Sequence, residues 1–234
     1  MAFLNSLIKK EKPEEFKFPG FMEDEFKEIY MLCKEYTMTS VERMYSLYQA
    51  VNYICNHNIP GDIVECGVWR GGMLAAIVET LNAKDRPIHV FDSFQGLPEA
   101  KTIDGEDAIA WQSNPNGINY HDNCKAEKDY VASLMENLNC TNTSIYEGWF
   151  EDTIPQTNIK DIALLRLDAD WYESTKICLD FLFDNVIEGG LIILDDYFAW
   201  DGCSRALHDF LSERKAIERI NSCHNYFCYL IKRS

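Results

Sequence analysis

From Gly61 onward, short apolar runs alternate with stretches in which apolar residues recur every three or four positions. That alternation predicts parallel strands joined by right-handed helical crossovers. Strands are predicted at Ile63–Cys66, Ile88–Phe91, Ser144–Tyr146, Ile162–Leu167 and Leu191–Leu194. Helices are predicted at about Met73–Leu81, Lys125–Leu138, Glu173–Val186 and Ser204–Arg214. Near the end, Ala216–Ile220 and Tyr226–Ile231 flank the turn-rich Asn221–Asn225, a spacing that predicts a closing antiparallel hairpin. The expected architecture is an α/β sheet with helices on both faces.

The segment before Gly61 reads differently. It is helical with no convincing strand, punctuated at Pro13 and at Pro19-Gly20. Thr39 or Ser40 can cap a helix whose stripe is Val41, Met44, Leu47, Tyr48, Val51 and Ile54. Residues 1–60 are therefore expected to form a helical cap or lid on a domain spanning 61–234. Met1 to Lys10 places Phe3, Leu4, Leu7 and Ile8 at roughly helical spacing, suited to docking a partner or the core, or to touching a membrane. Residues 96–123 fit neither period and are rich in Asp, Asn, Gly and Pro around Trp111. Loops of that length serve as lids or binding loops, and a lid is expected here.

Composition narrows the partners. The 234 residues carry 22 Lys plus Arg against 38 Asp plus Glu, a net charge of -16 that opposes phosphate backbones and anionic lipid. Nucleic acid is not an expected partner. No apolar run reaches the ~18 residues of a membrane span, and no secretory leader pattern opens the chain. The nine cysteines are scattered without a CxxC pair, which suits free thiols in a reducing cytoplasm and disfavours zinc.

Candidate chemistry gathers at strand ends. The first strand runs into Gly67-Val68-Trp69-Arg70-Gly71-Gly72 and then a helix, a turn that lets a ligand approach backbone amides at a helix start or that simply packs tightly. Its spacing is GxxxGG, not GxGxxG, which disfavours a nicotinamide cofactor. The second strand ends at Asp92, suited to holding ribose hydroxyls or to capping the following turn. Both strand ends open on one crevice of an α/β sheet, where such folds bind ligands. Leu167-Asp168-Ala169-Asp170 and Leu194-Asp195-Asp196-Tyr197 end two further strands. If those strands are neighbours ~4.8 Å apart, four carboxylates converge. Mg²⁺, or Ca²⁺ or Mn²⁺, is the simplest relief of their repulsion. Asp168 and Asp170, two apart, point to the same side in an extended backbone. Trp171, Tyr172, Tyr197, Phe198 and Trp200 lie nearby as core or as an apolar wall.

Three long motifs carry a family resemblance: Pro60 to Gly72, Asp92-Ser93-Phe94-Gln95-Gly96-Leu97-Pro98, and Leu167 to Thr175. With the order of elements from about Tyr36 to the C-terminus, they resemble the macrocin O-methyltransferase family of the TylF and MycF type. Its members methylate sugar hydroxyls using S-adenosylmethionine and Mg²⁺. The resemblance implies a class I methyltransferase fold, Rossmann-like, with a seven-stranded, mostly parallel sheet. It implies Glu65, Gly67 and Gly71 lining the cofactor, Asp92 and Ser93 near its ribose, and Thr37, Met38 and Thr39 near its methionine end. Gly148, Trp149 and Phe150 fall where the adenine is approached. Asp168, Asp195 and Asp196 match the metal ligands and Asp170 the general base, with Asp-Ala-Asp replacing the Asp-Gly-Asp frequent in relatives. A sugar-containing acceptor and a homodimer are further implications. A catechol-type acceptor, a non-catalytic cofactor-binding partner subunit, and a nicotinamide oxidoreductase are the competing expectations.

Overall fold

The computed structural model describes residues 17–81 and 85–233. The amphipathic stretch noted at Met1–Lys10 lies outside them. Strands β1 (Asp62–Cys66), β2 (Ile88–Asp92), β3 (Thr143–Glu147), β4 (Ile162–Leu167), β5 (Val186–Leu194), β6 (Asn221–Cys223) and β7 (Phe227–Ile231) form one sheet in the order β3-β2-β1-β4-β5-β7-β6. The first five are mutually parallel, and β7 runs antiparallel to β5 and β6. The chain reverses direction between β3 and β4, so β1 and β4 meet at the topological switch point, where α/β sheets open a crevice.

Period-two alternation decides what each face buries. Ile63, Val90, Leu191 and Ile193 point into one apolar cluster, Val64, Cys66, Phe91, Ile192 and Leu194 into the other. The first cluster is covered by α1 (Asp24–Cys33), α2 (Val41–Asn56), α3 (Gly72–Leu81) and, after the short α4 (Glu106–Gln112), by α5 (Lys128–Asn137). The second is covered by α7 (Tyr172–Leu182) and α8 (Asp201–Arg214), which follow the single turn α6 (Phe150–Thr153). The predicted stripe of α2 is the buried one: Val41, Met44, Leu47, Tyr48, Val51 and Ile54 are all buried, in the same cluster as Ile63 and Ile193. Each fully buried side chain of this size contributes roughly 1.5–3 kcal/mol. Residues 41–56 are thus packed onto the sheet as part of its core layer.

Three predicted boundaries are corrected. The first strand of the terminal hairpin is Asn221–Cys223, inside the expected turn, and the turn shrinks to His224–Tyr226. His224 and Asn225 take left-handed φ of 51° and 62°, which reverses the chain within three residues and pairs Cys223 with Phe227. β5 begins at Val186, so the helix expected to run to Val186 ends at Leu182, with a 3-10 turn through Asn185. The stretch expected to be an irregular loop over 96–123 carries α4 and a 3-10 turn, Thr102–Asp104. It is fastened by side chains: Gln112 bonds Ala100, Pro98 and Asn123, and Asp104 accepts from the amide of Tyr172 at 2.7 Å, capping α7.

Gly67 shows how tightly the crevice floor is closed. Its φ is +80°, and a Cβ there would lie 1.8 Å from the carbonyl oxygen of Asp168. Gly67→Ala is expected to lose about 3 kcal/mol of stability, lowering Tm by about 6–12 °C for a chain of this size. Thermal unfolding monitored by circular dichroism checks this, and an unchanged Tm would contradict the close approach.

Candidate active site

The ladder continues one residue past the strand ends and brings the site together. The amide of Gly67 donates to Phe91 O (2.8 Å), that of Asp168 to Cys66 O (2.8 Å), that of Asp195 to Leu167 O (2.8 Å), and that of Gly148 to Asp92 O (3.0 Å). Four residues singled out in the sequence thereby stand in register along one edge of the sheet. Above them lies a cavity of about 520 Å³, within the range of small-molecule sites.

Of the expected site residues, Thr37, Met38, Thr39, Gly67, Asp92, Ser93, Gly148, Trp149, Phe150, Asp168, Asp170, Asp195 and Asp196 line this cavity. The N-terminal segment reaches it because Gly72 is bare: a Cβ at Gly72 would lie 2.6 Å from Tyr36 O and 2.8 Å from Thr37 Cβ. Thr37 and Thr39 share a hydroxyl–hydroxyl hydrogen bond, and Ser40 then caps α2 by accepting from Arg43 N. Two expected residues are elsewhere. Gly71 faces Val131 and Leu134 of α5, and Glu65 lies fully buried beneath the cavity floor.

Asp92 has both oxygens engaged by backbone donors. Oδ2 accepts from Val68 N (2.8 Å) and Trp69 N (3.1 Å), and Oδ1 from Phe94 N (2.7 Å). It fastens the glycine turn to the end of β2, which is the capping alternative, while still bordering the cavity, where Oδ1 retains a lone pair for a ligand. Burial raises its carboxyl, and the three amides oppose that rise.

The acidic cluster is built on β4, β5 and their loops. Asp168, Asp195 and Asp196 each offer an oxygen, all within 4.8 Å of one another. Asp170 sits at φ 53°, a left-handed conformation uncommon outside glycine. There its amide donates to Asp196 Oδ2 (3.2 Å), while its Oδ1 accepts from Trp200 Nε1 (2.9 Å). Burial, then the charge of Asp168, pushes the Asp170 carboxyl up to about 8, against the pull of the Trp200 hydrogen bond. Burial, then Asp170 and Asp168, also raises Asp196 well above the carboxylate range.

Two arginines that the sequence reading passed over complete the site. Register places Glu65 of β1, Arg166 of β4 and Ile193 of β5 side by side, and period two puts Asp168 and Asp195 on the same face. Arg166, 1% exposed, lies 2.5 Å from Glu65 Oε1, 3.0 Å from Asp168 Oδ2 and 2.8 Å from Asp195 Oδ1. Arg43, one turn into α2, reaches Asp195 Oδ2 at 2.6 Å. The signal was present: a lone arginine inside the apolar run Ile162–Leu167, and a lone glutamate inside Ile63–Cys66. Of the five aromatics near the cluster, Trp171 is core, Phe198 is exposed, and Trp200 holds Asp170.

The donor set fits a hard divalent cation. It is all carboxylate oxygen, and with Glu65 and Asp170 it sets five acids against two guanidiniums. Asp168, Asp195 and Asp196 are the residues that would hold the ion.

Comparison with known proteins agrees with this geometry. The Macrocin-O-methyltransferase (TylF) family model matches residues 31–232. Demethyldecarbamoylnovobiocin O-methyltransferase of Streptomyces niveus is 33% identical over 180 residues, 75% of this chain and 67% of that protein. Mycinamicin III 3''-O-methyltransferase of Micromonospora griseorubida is 29% identical over 180 residues, 75% of this chain and 70% of that protein. Also 33% identical over 180 residues, again 75% and 67%, is 8-demethyl-8-(2,3-dimethoxy-alpha-L-rhamnosyl)-tetracenomycin-C 4'-O-methyltransferase of Streptomyces olivaceus. The solved O-methyltransferase NovP superposes with a TM-score of 0.70 at 30% identity, covering 85% of this chain and 83% of that one. A strand order with its switch point at β1 and β4, a glycine turn facing an acidic cluster across one cavity, and a family match over residues 31–232 together establish that this chain belongs to the macrocin O-methyltransferase family and is an S-adenosylmethionine-dependent O-methyltransferase.

Proposed function

We propose that the chain methylates a sugar hydroxyl of a glycan or glycosylated metabolite, with Mg²⁺ held by Asp168, Asp195 and Asp196. The observation that carries this is the meeting, in one cavity, of the glycine turn at β1 with the acidic cluster at β4 and β5. The sugar acceptor is supported by relatives, among them one named for a rhamnosyl-bearing substrate and a 4'-O position. When bound, S-adenosylmethionine supplies an electrophilic methyl group, and Mg²⁺ lowers the pKa of an acceptor hydroxyl.

The chain's own residues do the rest. Thr37, Met38 and Thr39 would border the methionine end of the cofactor, Asp92 and Ser93 its ribose, and Gly148, Trp149 and Phe150 its adenine. Asp170 would take the acceptor hydroxyl's proton on its carboxylate. A base whose pKa lies near working pH is suited to that transfer, and the Trp200 indole fixes its orientation. The start of α2 and the 96–123 segment wall the cavity and would exclude water from a bound cofactor and acceptor. The same reading makes the protein a cytoplasmic homodimer. All nine cysteines are free, and Phe21, Met31 and Leu32 expose apolar surface on the N-terminal segment.

Asp170→Asn is expected to reduce turnover by about 10²–10⁴-fold while calorimetric affinity for S-adenosylmethionine stays within about twofold of wild type. Full activity in purified Asp170→Asn would reject Asp170 as the base. Asp196→Ala should weaken Mg²⁺ binding by at least tenfold, read by titration calorimetry, and unaltered binding would remove it from the ligand set. The acids also predict a pH dependence. With the Asp170 carboxyl at about 8 in the folded chain and about 3.9 when unfolded, the folded state keeps a proton that the unfolded state releases. Stability of the metal-free protein is then highest below about pH 4 as far as this group is concerned, and falls as pH rises toward 8. Saturating Mg²⁺ should raise Tm more at pH 8 than at pH 5, and an equal rise at both would contradict the assignment.

A further inference from the structure

Asp195 is the most committed member of the acidic cluster. Its side chain is 3% exposed and both its oxygens face guanidiniums, Oδ1 that of Arg166 at 2.8 Å and Oδ2 that of Arg43 at 2.6 Å. A cation that takes Asp195 as a ligand must share or displace one of them.

The two arginines differ in what they can do. Arg166 is 1% exposed and is also held by Glu65 and Asp168, so it has nowhere to withdraw to inside the sheet. Arg43 has a quarter of its side chain exposed, lines the open cavity, and has Asp195 as its one ion-pair partner among the described residues. Its outer side opens on that cavity, so it can withdraw from Asp195 without leaving its charge sealed inside the sheet. A guanidinium and a divalent ion on the same carboxylate repel each other, and the repulsion is strong where water is scarce.

We propose that Arg43 is an internal counter-ion that competes with the divalent metal for Asp195, holding that carboxylate in the metal-free protein and yielding it when the metal enters. The proposal rests on the reading that Asp168, Asp195 and Asp196 hold such an ion. Arg43 is on this view a positioning residue whose charge opposes metal binding. A purely structural role, in which Arg43 orients Asp195 as a ligand, predicts the opposite sign: removing it would weaken the site.

The test is Mn²⁺ titration of the full-length protein, followed by electron paramagnetic resonance and repeated with Mg²⁺ by calorimetry, in wild type, Arg43→Met, Arg43→Lys and Asp196→Ala. Arg43→Met keeps the aliphatic stem and removes the charge. It is expected to bind Mn²⁺ about tenfold tighter than wild type, the direction set by removing a like charge beside the ion. Arg43→Lys, which retains the charge, should return affinity to within about threefold of wild type. Unchanged or weaker binding in Arg43→Met overturns the proposal, as does Arg43→Lys binding as tightly as Arg43→Met. If Arg43→Met does not fold, Arg43→Gln carries the same comparison. Wild-type binding that Asp196→Ala abolishes, without tightening in Arg43→Met, rejects the competition alone. Wild-type protein that binds neither ion rejects the metal reading and the proposal with it.

Discussion

The fully buried guanidinium of Arg166 is the charge around which the cavity edge of the sheet is arranged. It sits in the central strand, ion-paired to Glu65 on β1, to Asp168 beyond β4 and to Asp195 beyond β5. Burying a charge is costly, and breaking one such pair by removing a partner costs about 3–5 kcal/mol. That cost makes the arrangement specific. A slip of one residue between β1 and β4 would send Glu65 to the opposite face, away from Arg166, and leave that buried carboxylate unpaired. The pair therefore locks the register that also lines up Gly67, Asp168 and Asp195 along the sheet edge.

The same network sets the electrostatics of the cavity. Burial alone would lower the basicity of Arg166, yet Asp195, Asp168 and Glu65 hold it firmly protonated. Burial raises Glu65 to about 7 against the pull of Arg166. The acids nearer the cavity have less compensation, so Asp170, at about 8, and Asp196 are raised further than Glu65. A graded series results, from paired charge beneath the floor to less compensated acid lining the cavity, where a cation and a proton-bearing acceptor would be met. Arg43 closes the series from the opposite side, bringing a charge from α2 onto Asp195.

Much of the fold was legible because its signals are local. Short runs of three to six residues marked the parallel strands, and the stripe of α2 was readable from Val41 to Ile54. The terminal hairpin was misplaced because its turn depends on left-handed His224 and Asn225, residues that also read as part of a longer loop. The 96–123 segment looked unstructured because its order comes from contacts far along the chain, such as Asp104 with Tyr172 and Trp171 with Pro98. Gly71 matched a motif position but faces α5, since a motif fixes chain geometry without saying which neighbour each residue meets.

Residue types and spacing by themselves determined the parallel α/β architecture, the glycine turn, and the placing of acids at strand ends, because each follows from short-range periodicity and turn chemistry. They carried the family motifs as well. Only the tertiary structure decided which charges meet. Arg166 and Glu65 are 101 residues apart in the chain and Arg43 and Asp195 are 152 apart. Strand order, register and the seating of α2 bring them within hydrogen-bonding distance. Pairing of that kind is a property of the packed sheet, where low dielectric makes every buried charge find a partner, and no window of sequence contains both halves of it.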